Sequence, residues 1–116
     1  MTRPRTRSAA QRGSDLLLIP TAVATTGDVG GRAPEHTYDA DRISTVLAPA
    51  RALENGVYIA YANHTPPDST GLSSIASPYG TFLALAGDGE EFLIAEVARA
   101  RELNTYPTCG RPGLFV

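Results

Sequence analysis

The sequence of 116 residues contains no lysine, and its only cysteine is Cys109. All ten basic residues are arginines, so a reaction that needs a lysine amine must obtain that amine from another chain. A single cysteine cannot form a disulfide within the chain, which agrees with a reducing compartment. We therefore expect a cytoplasmic protein that cannot supply a lysine-dependent active site from its own residues.

Long apolar runs are also absent. The longest lie at 16–19, 57–62 and 82–86, and each is far shorter than the ~18 residues that indicate a membrane span. The basic beginning leads into polar residues rather than into the apolar stretch of a secretory signal. We expect neither a membrane segment nor a signal peptide.

The charge pattern argues against a nucleic-acid partner. Beyond Arg12 the chain has six arginines against twelve carboxylates, a formal charge of −6. The basic segment 1–7 has no aromatic residues interleaved, so it is predicted to be a disordered, solvated tail.

Cofactor and metal motifs are missing as well. The glycines at 27, 30 and 31 lack both the dinucleotide-binding spacing and the Lys-Ser or Lys-Thr of a phosphate loop. The histidines, His36 and His64, have no close metal-ligand spacing to Asp39 or Asp68. We expect no cofactor and no bound metal.

Periodicity and turn residues predict an α/β layered domain. The end of a helix is predicted at 8–12, where Gly13 closes it. A second helix is predicted over 41–55, with Asp39 or Asp41 as its N-cap and Gly56 at its end. Pro49 lies inside this helix, so the helix is expected to bend there or to begin late. Strands are predicted at 15–20, 57–62, 72–77, 81–86 and 91–97, with a type I turn at 77–80, a short helix at 98–103 and a long loop at 21–38.

Four segments, in this order and spacing, resemble the carbon–nitrogen hydrolase (nitrilase) superfamily. They are SDLLLIPTA at 14–22, ARALENGVYIAYAN at 50–63, GLSSIASPYG at 71–80 and EFLIAEV at 91–97. The resemblance implies the C-terminal half of an α-β-β-α sandwich, which is incomplete as a single chain. It also implies a parent activity on nitriles or amides, with a cysteine nucleophile, a glutamate base and a lysine that stabilises the tetrahedral intermediate.

None of those three catalytic groups can be assigned to a residue of this chain. In the family they precede the matched segments, whereas Cys109 follows them, so we expect no catalytic residue here. The resemblance places Pro20, Thr21 and Ala22 at the edge of the substrate pocket. It makes Arg51, Glu54 and Asn55 a structural motif at a helix end, with Glu54 paired to Arg51. A serine hydrolase using His64 with Ser73 or Ser74 is disfavoured, because the second glycine of a nucleophile elbow is missing.

Two interpretations of function follow. The first is a truncated amidase or nitrilase that is inactive alone, with a disordered tail at 1–7, a partial hydrolase domain at 8–103 and a C-terminal tail at 104–116. The alternative is a non-catalytic module, or one half of a split enzyme, that rebuilds the sandwich with itself or with an N-terminal partner. A small amide or nitrile would be a substrate only if the sandwich were completed. Exposed strand faces in a half-fold predict self-association.

Overall fold

A four-stranded sheet and two α-helices form most of the regular structure of the computed structural model, which describes residues 3–23, 39–87 and 89–108. Pro20 ends the first strand and Gly56 ends the second helix, so the turn residues seen in the sequence fix these boundaries. In chain order the elements are α1 (Arg3–Gln11), β1 (Leu16–Pro20), α2 (Ala48–Asn55), β2 (Tyr58–Ala62), β3 (Ser74–Ala76) and β4 (Phe82–Leu85).

The strands lie in the order β1-β2-β3-β4. β1 is parallel to β2, with Leu16 beside Tyr58 and Pro20 beside Ala62. β2, β3 and β4 then follow as antiparallel neighbours. The predicted turn at 77–80 joins β3 to β4. It is closed by a hydrogen bond from the amide of Gly80 to the carbonyl of Ser77 at 3.0 Å. The hairpin prediction is therefore confirmed, with shorter strands than expected.

Helix α1 begins at Arg3 rather than at Ser8, so it extends into the segment predicted as a disordered tail. Arginine and alanine are good helix formers, and the Thr6 side chain is buried. The end of α1 is as predicted. Gly13 has φ +94° and its amide donates to the carbonyl of Ala10 at 3.0 Å. Within the described residues no helix has the length and apolar character needed to cross a membrane.

The predicted helix over 41–55 is helical along its whole length but irregular just before Pro49, where the sequence predicts a bend or a late start. A π-helical turn over Ile43–Leu47 precedes α2, and the amide of Ala48 donates to the carbonyl of Ile43, five residues earlier. Pro49 has no amide to donate to the carbonyl four residues before it, which favours this irregular entry. Upstream, the Asp39 carboxylate accepts the amide of Asp41 at 3.0 Å and caps the segment.

The core lies on one face of the sheet, beneath α2. The residues that α2 contributes to it, Ala48 and Ala52, are small and fully buried. Successive side chains of a strand point to opposite faces of the sheet. On the face that points away from the helices, Leu18 is 72% exposed. Among the residues that the structure describes, helices therefore cover the sheet on one side only. The buried apolar cluster comprises Ala48, Ala52, Val57, Ile59, Tyr61 and Ala76.

The C-terminal part differs from the prediction. Segment 91–97 has no regular secondary structure, so the strand predicted there is wrong. A strand needs a neighbour for its backbone groups, and none of the described strands lies beside it. The helix predicted at 98–103 is a single 3₁₀ turn over Ala100–Glu102, and a second turn covers Tyr106–Thr108.

Candidate functional site

The predicted pocket residues lie where the two parallel strands end. Pro20 is the last residue of β1, and Thr21 and Ala22 follow it at the same edge as the end of β2. The amide of Thr21 donates to the carbonyl of Ala62 at 2.8 Å, which extends the ladder beyond β1. Pro20 and Ala22 are exposed and Thr21 is half-buried. Ligands of open α/β sheets bind at this kind of edge, outside the carboxyl ends of the strands.

Asn63 joins the loops at this edge. Its Oδ1 accepts the amide of Val23 at 2.8 Å, and its Nδ2 donates to Thr70 Oγ1 at 2.8 Å and to the carbonyl of Gly71 at 2.9 Å. The amide of Thr70 in turn donates to the carbonyl of Val23 at 2.9 Å. One amide side chain therefore connects the segment that follows β1 with the loop that follows β2.

Ser73 fixes the backbone of Asn63. The Ser73 hydroxyl accepts the Asn63 amide at 2.9 Å and lies 3.2 Å from the Asn63 carbonyl, to which it donates. The only proton of this hydroxyl is therefore already donated to a backbone carbonyl. No side-chain hydrogen bond joins His64 to Ser73 or Ser74 among the described residues. The structure therefore supports no serine–histidine pair at this edge.

An open cleft of about 500 Å³ lies beside Asn63 at the same end of the sheet. Its rim is acidic, and the Glu91 carboxylate accepts the amide of Gly87 at 3.1 Å. Leu72, in the wall, has φ +58°, a left-handed conformation that costs a non-glycine residue about 1–2 kcal/mol. Such strain is typical of functional loops. The lining includes Asn63, His64, Leu72, Ser73, Glu90 and Glu91 but none of Pro20, Thr21 and Ala22.

The motif Arg51, Glu54 and Asn55 lies at the opposite end of the sheet. Arg51 Nη1 donates to Glu54 Oε1 at 3.3 Å, and Asn55 Nδ2 donates to the carbonyl of Arg51 at 2.9 Å. A second cavity of about 210 Å³ lies here, lined by residues of α1, the end of α2 and the C-terminal segment, including Glu54 and Asn55. The length of β1, roughly 15 Å at ~3.3 Å per residue, separates this motif from Pro20. The structure does not bring the two predicted groups together.

Glu54→Gln is expected to lower the free energy of unfolding by less than about 1 kcal/mol. The Glu54 side chain is 49% exposed, and exposed ion pairs of this spacing stabilise weakly. Urea unfolding followed by circular dichroism would measure the change, with Glu102→Gln as an exposed control outside the pair. A loss above about 2 kcal/mol would contradict an exposed structural role.

Several predictions fall outside the described residues. They concern Cys109, His36 and the glycines at 27, 30 and 31. Among the residues that the structure does describe, no group of three or more His, Cys, Asp or Glu side chains could hold a metal ion.

The fold and the site define an α/β domain whose parallel strands end in loops held by Asn63. The carbon-nitrogen hydrolase family model matches residues 5–105, and this chain belongs to that family. A relative in Pseudomonas protegens, described as "Hydrolase in pqqF 5'region", is 35% identical over 94% of this chain.

Solved structures of an amidase from Nesterenkonia sp. AN1 are also similar. A cysteine-to-alanine variant of that nitrilase-superfamily amidase is 37% identical over 74% of this chain, with a TM-score of 0.59. A second structure shows such a variant in complex with butyramide, with a TM-score of 0.57. A third shows the acetamide moiety of fluoroacetamide added covalently at that amidase's active site cysteine. The chain spans 37% of the Pseudomonas protein and 29% of the amidase.

Asn63 is the site residue that the sequence analysis did not single out. It stands at the end of the matched segment 50–63, but a lone asparagine after a strand carries no distinctive spacing. Its partners lie 40, 7 and 8 residues away along the chain, so their convergence is decided only by the fold.

Proposed function

We propose that this chain supplies the strand-end loops of a carbon–nitrogen hydrolase that acts on small aliphatic amides. Protein outside these 116 residues provides the cysteine nucleophile, the glutamate base and the lysine. The substrate lies at the carboxyl edge of β1 and β2, against Pro20, Thr21 and Ala22. The chain alone has no hydrolytic activity.

The family match over residues 5–105 carries this proposal. The substrate class is taken from the amidase that is 37% identical to this chain and was solved with butyramide. The amino-acid composition supports the assignment of the catalytic groups to protein outside these residues. The sequence has no lysine at all, so a lysine that stabilises an oxyanion has to come from elsewhere.

The strand-end loops have a positioning role in this scheme. An acyl-transfer site gains part of its acceleration by holding the substrate in line with the nucleophile, and small displacements of the substrate are costly. The hydrogen bonds of Asn63 join the segment after Ala22 to the loop after β2, so this side chain sets the shape of the proposed pocket edge.

The second candidate, a non-catalytic module that pairs with itself, is favoured by one observation. Phe92 is 99% exposed and Ile94 is 89% exposed, which is unusual for large apolar side chains close together. Such a module would associate without gaining activity.

The test of hydrolysis uses ammonia release from butyramide. The 116-residue chain alone is expected to release none above the buffer rate. It would then be mixed with the completing segment, defined as the part of the Nesterenkonia amidase that this chain does not cover, expressed as a separate polypeptide. Ammonia release is expected only from the mixture.

Two cysteine substitutions serve as controls. A completing segment whose active-site cysteine is replaced by alanine is expected to give no ammonia, whereas Cys109→Ser in this chain is expected to leave the rate of the mixture unchanged. Butyramide hydrolysis by the 116-residue chain alone, abolished by Cys109→Ser, would overturn the proposal.

A further inference from the structure

We propose that the cavity at the Glu54 end of the sheet binds a small organic cation, a primary ammonium group on a compact apolar body. This helix-end cavity has a volume of about 210 Å³ and lies between the last turns of α1 and α2 and the C-terminal segment 100–107. Its role is separate from the proposed function, because the length of β1 lies between this cavity and the pocket edge at Pro20.

The helix-end cavity has the size and the walls for a small ligand with a hydrocarbon body. Its volume is below the roughly 300–1,000 Å³ of pockets that take drug-sized molecules. Val57 and Ala100 in the lining are themselves buried. A compact hydrocarbon body would therefore leave water on entering the cavity, which favours binding. The apolar lining comes from three parts of the chain and includes Ala10, Val57, Ala100 and Pro107.

Three polar side chains of the lining are each held in place through one atom. Asp15 Oδ1 accepts the amide of Ala100 at 2.8 Å. Asn55 Nδ2 donates to the carbonyl of Arg51 at 2.9 Å, and Glu54 Oε1 accepts Arg51 Nη1 at 3.3 Å. These bonds orient the side chains before any ligand arrives, which lowers the entropy lost on binding.

Each of the three side chains keeps a second oxygen that can accept a hydrogen bond. Asp15 Oδ2, Asn55 Oδ1 and Glu54 Oε2 have no hydrogen-bond partner in the described part of the chain. A primary ammonium has three N–H donors and no acceptor, so it matches a set of acceptor oxygens. The hydrogen bonds to the two carboxylates would be charge-assisted and therefore stronger than neutral ones.

The charges around the helix-end cavity favour a cation over an anion. α1 and α2 both end here, and the carboxyl end of a helix carries about half an elementary negative charge. Arg51 offsets Glu54, and the exposed side chain of Arg7 is the one cation among the described lining residues. Solvent screens an exposed charge such as that of Arg7. Half-buried Asp15 and the two helix ends therefore leave the cavity with a negative potential.

Titration of the full 116-residue chain with cyclohexylammonium tests the proposal, with nuclear magnetic resonance shifts of the Gly56 and Ala100 amides as the readout. Both amides belong to lining residues and should shift saturably, with a Kd of about 1 mM or lower. Two ligands of the same shape are the controls. Cyclohexanol has no charge and cyclohexanecarboxylate has the opposite charge, and each is expected to bind at least about tenfold more weakly.

Two variants with opposite expected effects make the test specific. Asp15→Asn keeps an oxygen for the Ala100 amide but loses the charge, so it should weaken cyclohexylammonium binding by about tenfold. Arg7→Gln removes the cation of the lining and should tighten binding by about threefold. Damage to the fold could weaken binding but could not tighten it. Glu102→Gln, at an exposed carboxylate outside the lining, is the matched control and should change the Kd less than about twofold.

Saturable shifts at Gly56 and Ala100, with the expected order of ligands and variants, support the proposal. Equal binding of cyclohexanol would identify an apolar cavity with no preference for a cation and overturn it. Shifts confined to Glu90 and Glu91 would place the cation at the acidic rim of the other cleft and also overturn it, as would an unchanged Kd in Asp15→Asn. None of these outcomes depends on hydrolysis of butyramide, so the proposed function is tested separately.

Discussion

Asn63→Ala is expected to lower the free energy of unfolding by roughly 3 kcal/mol and to loosen both loops at the carboxyl edge of the sheet. The change leaves the amide of Val23, the hydroxyl of Thr70 and the carbonyl of Gly71 without the partners that Asn63 provides. A buried donor or acceptor that loses its partner costs about 1–3 kcal/mol. We use about 1 kcal/mol for each of the three groups, because this site is only partly buried.

Two further variants make the measurement specific. Asn63→Asp keeps an acceptor for the Val23 amide but sets a carboxylate against the Gly71 carbonyl, so an intermediate loss is expected. Asn104→Ala, at an exposed asparagine, should change stability by less than about 0.5 kcal/mol.

Urea unfolding gives the free energy, and hydrogen exchange at the amides of Val23 and Thr70 reports the loops directly. Both amides are expected to lose protection in Asn63→Ala, because Thr70 donates to Val23 within the same connection. A loss below about 1 kcal/mol with unchanged protection would contradict the role assigned to Asn63.

Gly56→Ala is expected to destabilise the chain by about 2–5 kcal/mol. Gly56 ends α2 with φ +63°, which a side chain makes costly by about 1–2 kcal/mol. An added Cβ would also lie 2.9 Å from Pro107 Cγ and 3.0 Å from Thr105 Oγ1, and overpacking of this kind costs a further 1–3 kcal/mol or so. At Gly56 itself the helix end lies directly against the side chains of Pro107 and Thr105.

Gly13→Ala is the matched control. Gly13 also has a positive φ, +94°, but no atom lies within 4 Å of the place that its Cβ would take. It should show the conformational cost without the packing cost, so its loss of stability should be clearly smaller. If the two variants lose equal stability, the contact of Gly56 with Pro107 contributes nothing. Thermal unfolding of both variants under the same conditions measures the difference.

Local chemistry in the sequence predicts much of the fold. Gly56 and Gly13 end their helices as expected, the turn at 77–80 joins a hairpin, and Tyr58–Ala62 is a strand. These features depend on the conformational preferences of single residues and their immediate neighbours, and such preferences are visible in the sequence. The sequence does not predict the start of α1 at Arg3, because the three arginines of 1–7 also fit a solvated tail.

The candidate site was only partly predictable. The resemblance predicts Pro20, Thr21 and Ala22 at the edge of the substrate pocket, and the structure places them at the end of β1. The role of Asn63 becomes visible only when the loops are folded. Hydrogen bonds between residues 40 positions apart leave no periodic signal in the sequence.

The sequence by itself determined the family, the absence of lysine and the short-range boundaries, because each depends on residue identity and close spacing. Only the tertiary structure decided that Asn63 joins two loops, that Gly56 meets Pro107 and that 91–97 stays unpaired. Each of these depends on which distant segments are present to make contact. A strand-forming sequence becomes part of a sheet only when a second strand satisfies its backbone, and the described part of this chain does not contain one beside 91–97.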